Sequence, residues 1–354
     1  MNELVSLINP AIRKLSPYKS ARSEVSDANY LLLDANESPY GAMNRYPDPL
    51  QKELKQQICQ WKGVREDQIF LGNGSDEAID LLMRIFTRPG SSDEVLVPEP
   101  TYGMYKVTAA IQQIAYRTVL LPADFQLRPE KLVEAINEQT RIIMLCTPNN
   151  PTGNTIPVGA IEAILATFRG IVVVDEAYID FANTPSMLQK LDEYPNLVVV
   201  QTFSKALGMA GARLGMCFAN PIVIEQLNKI KPPYNVNVLT QTYALEQLQQ
   251  ESVNRSRIRS ILSERDVLAT ALEELSVVEQ VFPSEANFLL VRFADAQDVY
   301  QFLLNNRIVV RDRSNEPNCE GCLRISIGKP QENHQLVAAL KRYEEVNLGK
   351  PIKI

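Results

Sequence analysis

Lys205 follows an apolar run, LeuValValVal at 197–200, that reads as a buried strand. Burying an ammonium group is costly and lowers its pKa, which suits a lysine that must act as a neutral amine toward an aldehyde carbon. A second run, IleValValVal at 171–174, ends in Asp175-Glu176. A carboxylate there could face a pyridine nitrogen, keep it protonated, and make such a ring an electron sink. Eight residues after the lysine, Arg213 lies in MetAlaGlyAlaArgLeuGly, placed to clamp a phosphate. Gly72-Asn73-Gly74 precedes Ser75-Asp76-Glu77, and small residues with free N–H groups at a helix start make an anion site. An ordinary capped helix would read the same way.

Other chemistries find less support. Four aliphatics followed by Asp175-Glu176 could be a magnesium-holding strand of an ATPase. That needs a GxxxxGK[ST] loop, and the Gly-Lys pairs beginning at 328 and 349 are both followed by proline. A dinucleotide fingerprint fails because Glu77 stands where its third glycine would be. Cys319 and Cys322 have zinc or redox spacing, but no second such pair exists and His334 is the single histidine, so packing is expected. His334 itself, in a polar run, reads as a solvated helix residue, which leaves almost no material for histidine acid–base catalysis.

The elements that must position these groups follow from the pattern. ArgIleIleMetLeuCys (141–146) and the runs at 171–174 and 197–200 are short, β-branched and apolar on both faces. Separated by helical stretches, they predict buried strands of a mostly parallel sheet covered by helices. Helices are expected over 50–62 and 76–87, and long ones over 240–275. Beyond residue 281 the rhythm changes to strands at 288–293, 307–311 and 322–327, with helices at 295–306 and 331–347. The expected architecture is α/β, with a large domain over 30–275 and a smaller α+β domain from 1–29 and 276–354. Ligands of open α/β sheets sit at the carboxyl ends of the strands. Here those ends read ThrProAsnAsnProThrGly (147–153), AspGluAlaTyr (175–178) and ThrPheSerLysAla (202–206).

Bulk properties set the class. With 354 residues, 45% of them apolar, and a net charge of -6, the chain has room for a sizeable core and no basic stripe for nucleic acid or an anionic membrane. The N-terminus shows no basic cap followed by an apolar core, and no stretch nears the ~18 apolar residues that span a bilayer. Five cysteines, odd in number and mostly scattered, fit reduced thiols and a cytoplasmic location.

Taken together, ThrPheSerLysAlaLeuGlyMetAlaGlyAlaArgLeuGly (202–215), AsnAsnProThrGly (149–153) and AspGluAlaTyr (175–178) resemble the motifs of fold-type I pyridoxal-phosphate aminotransferases. AspAlaAsnGluSerPro (34–39), AsnArgTyrPro (44–47), GlyAsnGlySerAspGlu (72–77), ProThrTyrGlyMetTyr (100–105), ArgAsp (311–312) and GlyCysLeuArgIleSerIleGly (321–328) are similar to its histidinol-phosphate branch. The resemblance covers essentially the whole chain.

It implies pyridoxal 5′-phosphate as cofactor, with Lys205 as the Schiff-base lysine and Asp175 paired with the ring nitrogen. It implies Asn150 and Tyr178 at the ring's 3′-oxygen and Tyr102 stacked on the ring. Gly74, Ser75, Asp76, Ser204 and Arg213 would bind the cofactor phosphate, with Tyr46 reaching it from the other subunit of a homodimer. Tyr18, Asn36, Arg311 and Arg324 would bind the substrate's phosphate or a carboxylate. The implied reaction exchanges an amino group between histidinol phosphate and 2-oxoglutarate, giving imidazole-acetol phosphate and glutamate. Alternatives on the same scaffold are an aromatic amino-acid aminotransferase or a threonine-phosphate decarboxylase. A non-catalytic binding protein that kept the fold would have lost the lysine, the aspartate or the arginine, and all three are present.

Overall fold

The computed structural model describes residues 3–17 and 30–348. Its main sheet has seven strands: β1 (Ile69–Asn73), β2 (Glu94–Glu99), β3 (Ala115–Leu120), β4 (Thr140–Cys146), β5 (Ile171–Asp175), β6 (Leu197–Thr202) and β7 (Leu214–Ala219). Their order is β1-β7-β6-β5-β4-β2-β3. β7 pairs antiparallel with both β1 and β6, and the other pairings are parallel. The unbroken aliphatic runs of β4, β5 and β6 are buried on both faces because helices cover both.

Residues beyond 275 form an antiparallel sheet of β8 (Val278–Val281), β9 (Phe288–Phe293), β10 (Arg311–Asp312) and β11 (Cys322–Ser326), ordered β10-β11-β9-β8. The helices Ala296–Asn305 and Pro330–Leu348 pack on it, with Val299, Leu303, Leu336 and Leu340 in its core. The long helix Glu251–Glu273 adds Leu268 and Leu272 to the same core.

Two expectations are corrected. The strand expected at 307–311 begins only at Arg311; Arg307 is left-handed (φ 61°), and the one ladder available pairs Arg311 and Asp312 with β11. A short β-branched run such as Ile308-Val309-Val310 without a partner edge does not make a strand. Residues 3–14, expected beside the C-terminal unit, instead pack under the main sheet. Leu4 and Ile8 are buried with Ile79, Leu82 and Phe86. Asn9 accepts the Ala11 N–H as a helix cap and donates its side-chain amide to Thr87 O at 2.9 Å. The contact surface is made by a helix more than 60 residues away along the chain, which local rhythm does not reveal.

Among the described residues no helix is long and apolar enough to cross a membrane. Cys319 and Cys322 are free and fully buried beside Phe125, Phe282 and Leu290, and among the described residues no cluster suits a metal ion.

Candidate active site

The parallel strands β4, β5 and β6 end side by side. Cys146 lies opposite Asp175 across the β4–β5 ladder, and Asp175 opposite Val200 across β5–β6. A pocket opens over these ends, with Lys205, Asp175, Tyr178, Asn150 and Ser204 in its wall. Ser75, Asp76, Tyr102 and Arg213 complete the other side, together with Cys146 and Thr202.

Lys205 stands in the turn after β6, which is held by the Gly208 N–H on Lys205 O and the Met209 N–H on Phe203 O, each at 3.1 Å. Its Nζ lies 5.5 Å from the centre of the Tyr178 ring. Burial lowers the amine's pKa, and the Arg324 guanidinium lowers it further, against the pull of Asp175.

Asp175 is buried at the carboxyl end of β5. Its Oδ2 accepts from the Tyr105 hydroxyl at 2.6 Å and its Oδ1 from the Ala177 N–H at 3.1 Å. Burial pushes the carboxyl up to about 6, while both donors hold it down. Tyr105 closes the ProThrTyrGlyMetTyr motif, yet the sequence assigns it no role, because a buried tyrosine in a helix looks like core.

Glu176 points the other way. Fully buried, it accepts from Ser186 Oγ at 2.5 Å, the Met187 N–H at 2.7 Å and Gln201 Nε2 at 2.8 Å. It ties the loop after β5 to β6 and does not reach the pocket. Glu176→Ala should therefore lower unfolding stability by about 2–4 kcal/mol, because it strands buried donors. Urea melts check this, with ligand affinity nearly unchanged.

One end of the pocket is built largely from backbone. The helix Ser75–Phe86 starts at Gly74 (φ 80°) with no side chain capping it, so its first N–H groups stay available. A Cβ on Gly74 would sit 2.7 Å from Arg213 Nη2, and one on Gly215 would sit 2.2 Å from Ser75 N. Glycine is thus required for the close approach of turn, arginine and β7. The Asp76 carboxylate is an acceptor only; its Oδ1 takes the Tyr102 hydroxyl at 3.0 Å and its Oδ2 lies 3.4 Å from Arg213 Nη2. Asp76 can therefore serve an anion through its N–H and not its side chain.

Asn149 and Asn150 divide their labour. Asn149 holds the turn, donating to Pro100 O and Thr152 Oγ1 and accepting from Thr101 Oγ1. Asn150 lines the pocket, and its Oδ1 accepts from Arg324 Nη1. Arg324, on β11, lies 5.3 Å from the Phe288 ring centre, and Tyr178 meets the same ring edge-on at 5.1 Å. Arg311 is Arg324's direct cross-strand partner. Arg313, which the motifs did not single out, also neighbours Arg324. Its Nε is buried without a hydrogen-bond partner, and its Nη1 is 3.4 Å from Glu316. The alternation Arg311-Asp312-Arg313 was the available signal.

Two sequence-derived residues lie elsewhere. Tyr46 and Asn36 line a separate cleft, where Tyr46 stacks on Tyr234 with ring centres 4.3 Å apart. Tyr18 falls outside the described residues.

The family model for aminotransferase class I and II matches residues 22–340. A histidinol-phosphate aminotransferase of Parabacteroides distasonis is 51% identical over 96% of this chain and 99% of its own length. One from Bacteroides fragilis is 48% identical over 97% of this chain and all of its own length. Among solved structures, the Sinorhizobium meliloti histidinol-phosphate aminotransferase in complex with pyridoxal-5′-phosphate superposes with a TM-score of 0.80 at 24% identity, covering 88% of this chain and 90% of that one. The L-threonine-O-3-phosphate decarboxylase of Porphyromonas gingivalis superposes with a TM-score of 0.73 at 24% identity, over 86% and 91%, so the fold by itself does not choose the reaction.

Proposed function

The chain belongs to the class I and II aminotransferases, and from that premise we propose that it exchanges an amino group between L-histidinol phosphate and 2-oxoglutarate with pyridoxal 5′-phosphate as cofactor. The observation that carries this reading is the meeting of Lys205, Asp175 and the uncapped Gly74–Ser75 turn in one pocket, with Arg324 bonded to its wall.

The pocket's chemistry suits this group. The turn and Arg213 offer donors for a phosphate, Asp175 an acceptor for a ring nitrogen, and Tyr102 a flat face. Asn150 and Tyr178 supply polar groups for the ring's 3′-oxygen, and Ser204 a hydroxyl for the phosphate. When bound, the cofactor supplies a reactive aldehyde and a ring that stabilises negative charge on the substrate's Cα.

The protein's part is to hold and to move a proton. With pyridoxal phosphate bound, Lys205 Nζ, its pKa lowered, would take the proton from the substrate Cα and deliver it to the cofactor's C4′. Asp175 presents a negative charge fixed by two donors. Arg324 and Arg311 grip the distal phosphate of one substrate and the carboxylate of the other, since a guanidinium binds both in fork geometry. The near absence of histidine fits, because the imidazole comes with the substrate and the proton carrier is lysine.

The assembly we propose is a homodimer in which Tyr46, with Asn36 nearby, serves the other chain's pocket. Tyr46 does not line its own pocket. Leu31, Leu33, Tyr40 and Met43 around it are exposed, an apolar stretch that a second copy would cover. Tyr46→Phe should weaken pyridoxal phosphate binding by about tenfold, one hydrogen bond to a charged group. Equilibrium dialysis measures that, and sedimentation checks that the dimer persists. We place the boundary of the small C-terminal unit near residue 275, where the chain leaves the long helix for β8.

The reading is tested by incubating purified protein with L-histidinol phosphate and 2-oxoglutarate and measuring glutamate. Release of carbon dioxide from threonine phosphate, or a strong preference for phenylalanine as donor, would reverse it.

A further inference from the structure

We propose that Tyr105 is a positioning residue for this reaction: its phenol, donating to Asp175 Oδ2 at 2.6 Å inside the closed core, orients that carboxylate and keeps it charged. The inference rests on Asp175 facing a cationic ring nitrogen, and it gives a role to Tyr105, the last residue of the ProThrTyrGlyMetTyr motif.

Tyr105 lies in the first turn of the helix Met104–Ile111 and is wholly buried among Val95, Val97, Ala109, Ile142 and Met144. A phenylalanine would fill such a place as well. The hydroxyl must therefore be accounted for by its neighbours, and these are the Asp175 carboxylate and the Cys146 thiol. The same ring meets Tyr102 edge-on, with centres 5.5 Å apart and planes at 88°. Tyr105 thus backs two pocket walls at once, the anion at the end of β5 and the ring of Tyr102.

The choice of donor has a physical sense. A guanidinium or ammonium beside Asp175 would cancel its charge. A phenol satisfies the carboxylate and stays neutral, leaving the negative charge for a ring cation. Burial works against that charge and raises the Asp175 pKa, as does the nearby Asp76 carboxylate. Tyr105, the Ala177 N–H and the Lys205 amine oppose the rise. Burial pushes the Cys146, Tyr102 and Tyr178 pKa values upward, helped by Asp175 at Cys146 and by Asp76 ahead of Asp175 at Tyr102. Of these opposing groups, Tyr105 is the side chain bonded directly to the carboxylate.

Asp175 should titrate near 6 in the cofactor-free protein, and its midpoint can be read from the infrared carboxylate band of protein carrying labelled aspartate. Losing a donor to the charged form raises a carboxyl pKa, so Tyr105→Phe should move the midpoint up by about one to two pH units. Replacing Tyr105 with a fluorinated tyrosine, whose phenol is a stronger donor in the same volume, should move it down. That second measurement keeps the question open to a clear answer even if Tyr105→Phe folds poorly. Pyridoxal phosphate affinity gives an independent readout. The Tyr105→Phe change should weaken binding about tenfold in the wild-type background and less than twofold beside Asp175→Asn. An unmoved infrared midpoint in either Tyr105 variant, or equal losses in both backgrounds, would reduce Tyr105 to packing and end the proposal. Failure of the wild-type protein to bind pyridoxal phosphate would instead strike the cofactor reading, while the infrared midpoints would still decide the role of Tyr105.

Discussion

Lys205→Ala is expected to lower the rate of amino transfer by at least about 10³-fold while leaving the fold in place, because the variant loses both the cofactor's attachment point and the group that moves the proton. The turn that carries Lys205 is held by backbone bonds from Gly208 and Met209, which do not involve the amine. Among the described residues Lys205 Nζ makes no ion pair whose loss would strand a buried carboxylate. A charged lysine in that wall is disfavoured by burial and by Arg324, so its removal should cost little stability. The variant should purify with a normal urea melt and without the visible absorbance of a lysine-linked cofactor. Full turnover in such a protein would remove the lysine from the mechanism.

Arg324→Ala should act on affinity first. The guanidinium is largely buried, bonded to Asn150 and laid against Phe288. Burial together with Arg313 and Arg311 lowers its pKa, as expected where like charges gather without enough anions. A bound phosphate or carboxylate would relieve that repulsion. Losing two charge-assisted hydrogen bonds to such an anion is worth about 3 kcal/mol, so KM for both substrates should rise by about 10²-fold. The cofactor should still bind, because Lys205 and the phosphate turn remain in place, while loss of the Arg324 charge should let the Lys205 pKa rise. Arg324→Lys should recover only part of the affinity, since an ammonium lacks the planar fork. A unchanged KM with a lowered melting point would instead show that Arg324 serves the packing of β11 on Phe288.

The chain's own residue order already contained most of the site. Runs such as IleValValVal at 171–174 can only be comfortable between two helix layers, so their polar ends had to meet at one edge of a sheet. That places Asp175, Lys205 and the 147–153 turn together. Ser75-Asp76-Glu77 after two glycines likewise marks a helix start open to an anion. What residue order could not decide are the pairs it keeps far apart. Tyr105 meets Asp175 across 70 positions, and Arg324 meets Asn150 across 174. Neither contact leaves a local period to read.

The same distance explains the misplacements. An amphipathic helix such as Glu3–Leu7 states that it needs an apolar partner and not which one, and only the tertiary structure supplied the Ile79–Phe86 surface. The β-branched run Ile308-Val309-Val310 states that a strand is possible, while its start at Arg311 was set by where β11 offers a ladder. Local propensity and burial are properties of neighbouring residues and are written along the chain. Orientation, pairing and the charge state of Asp175 are properties of what folding brings beside them.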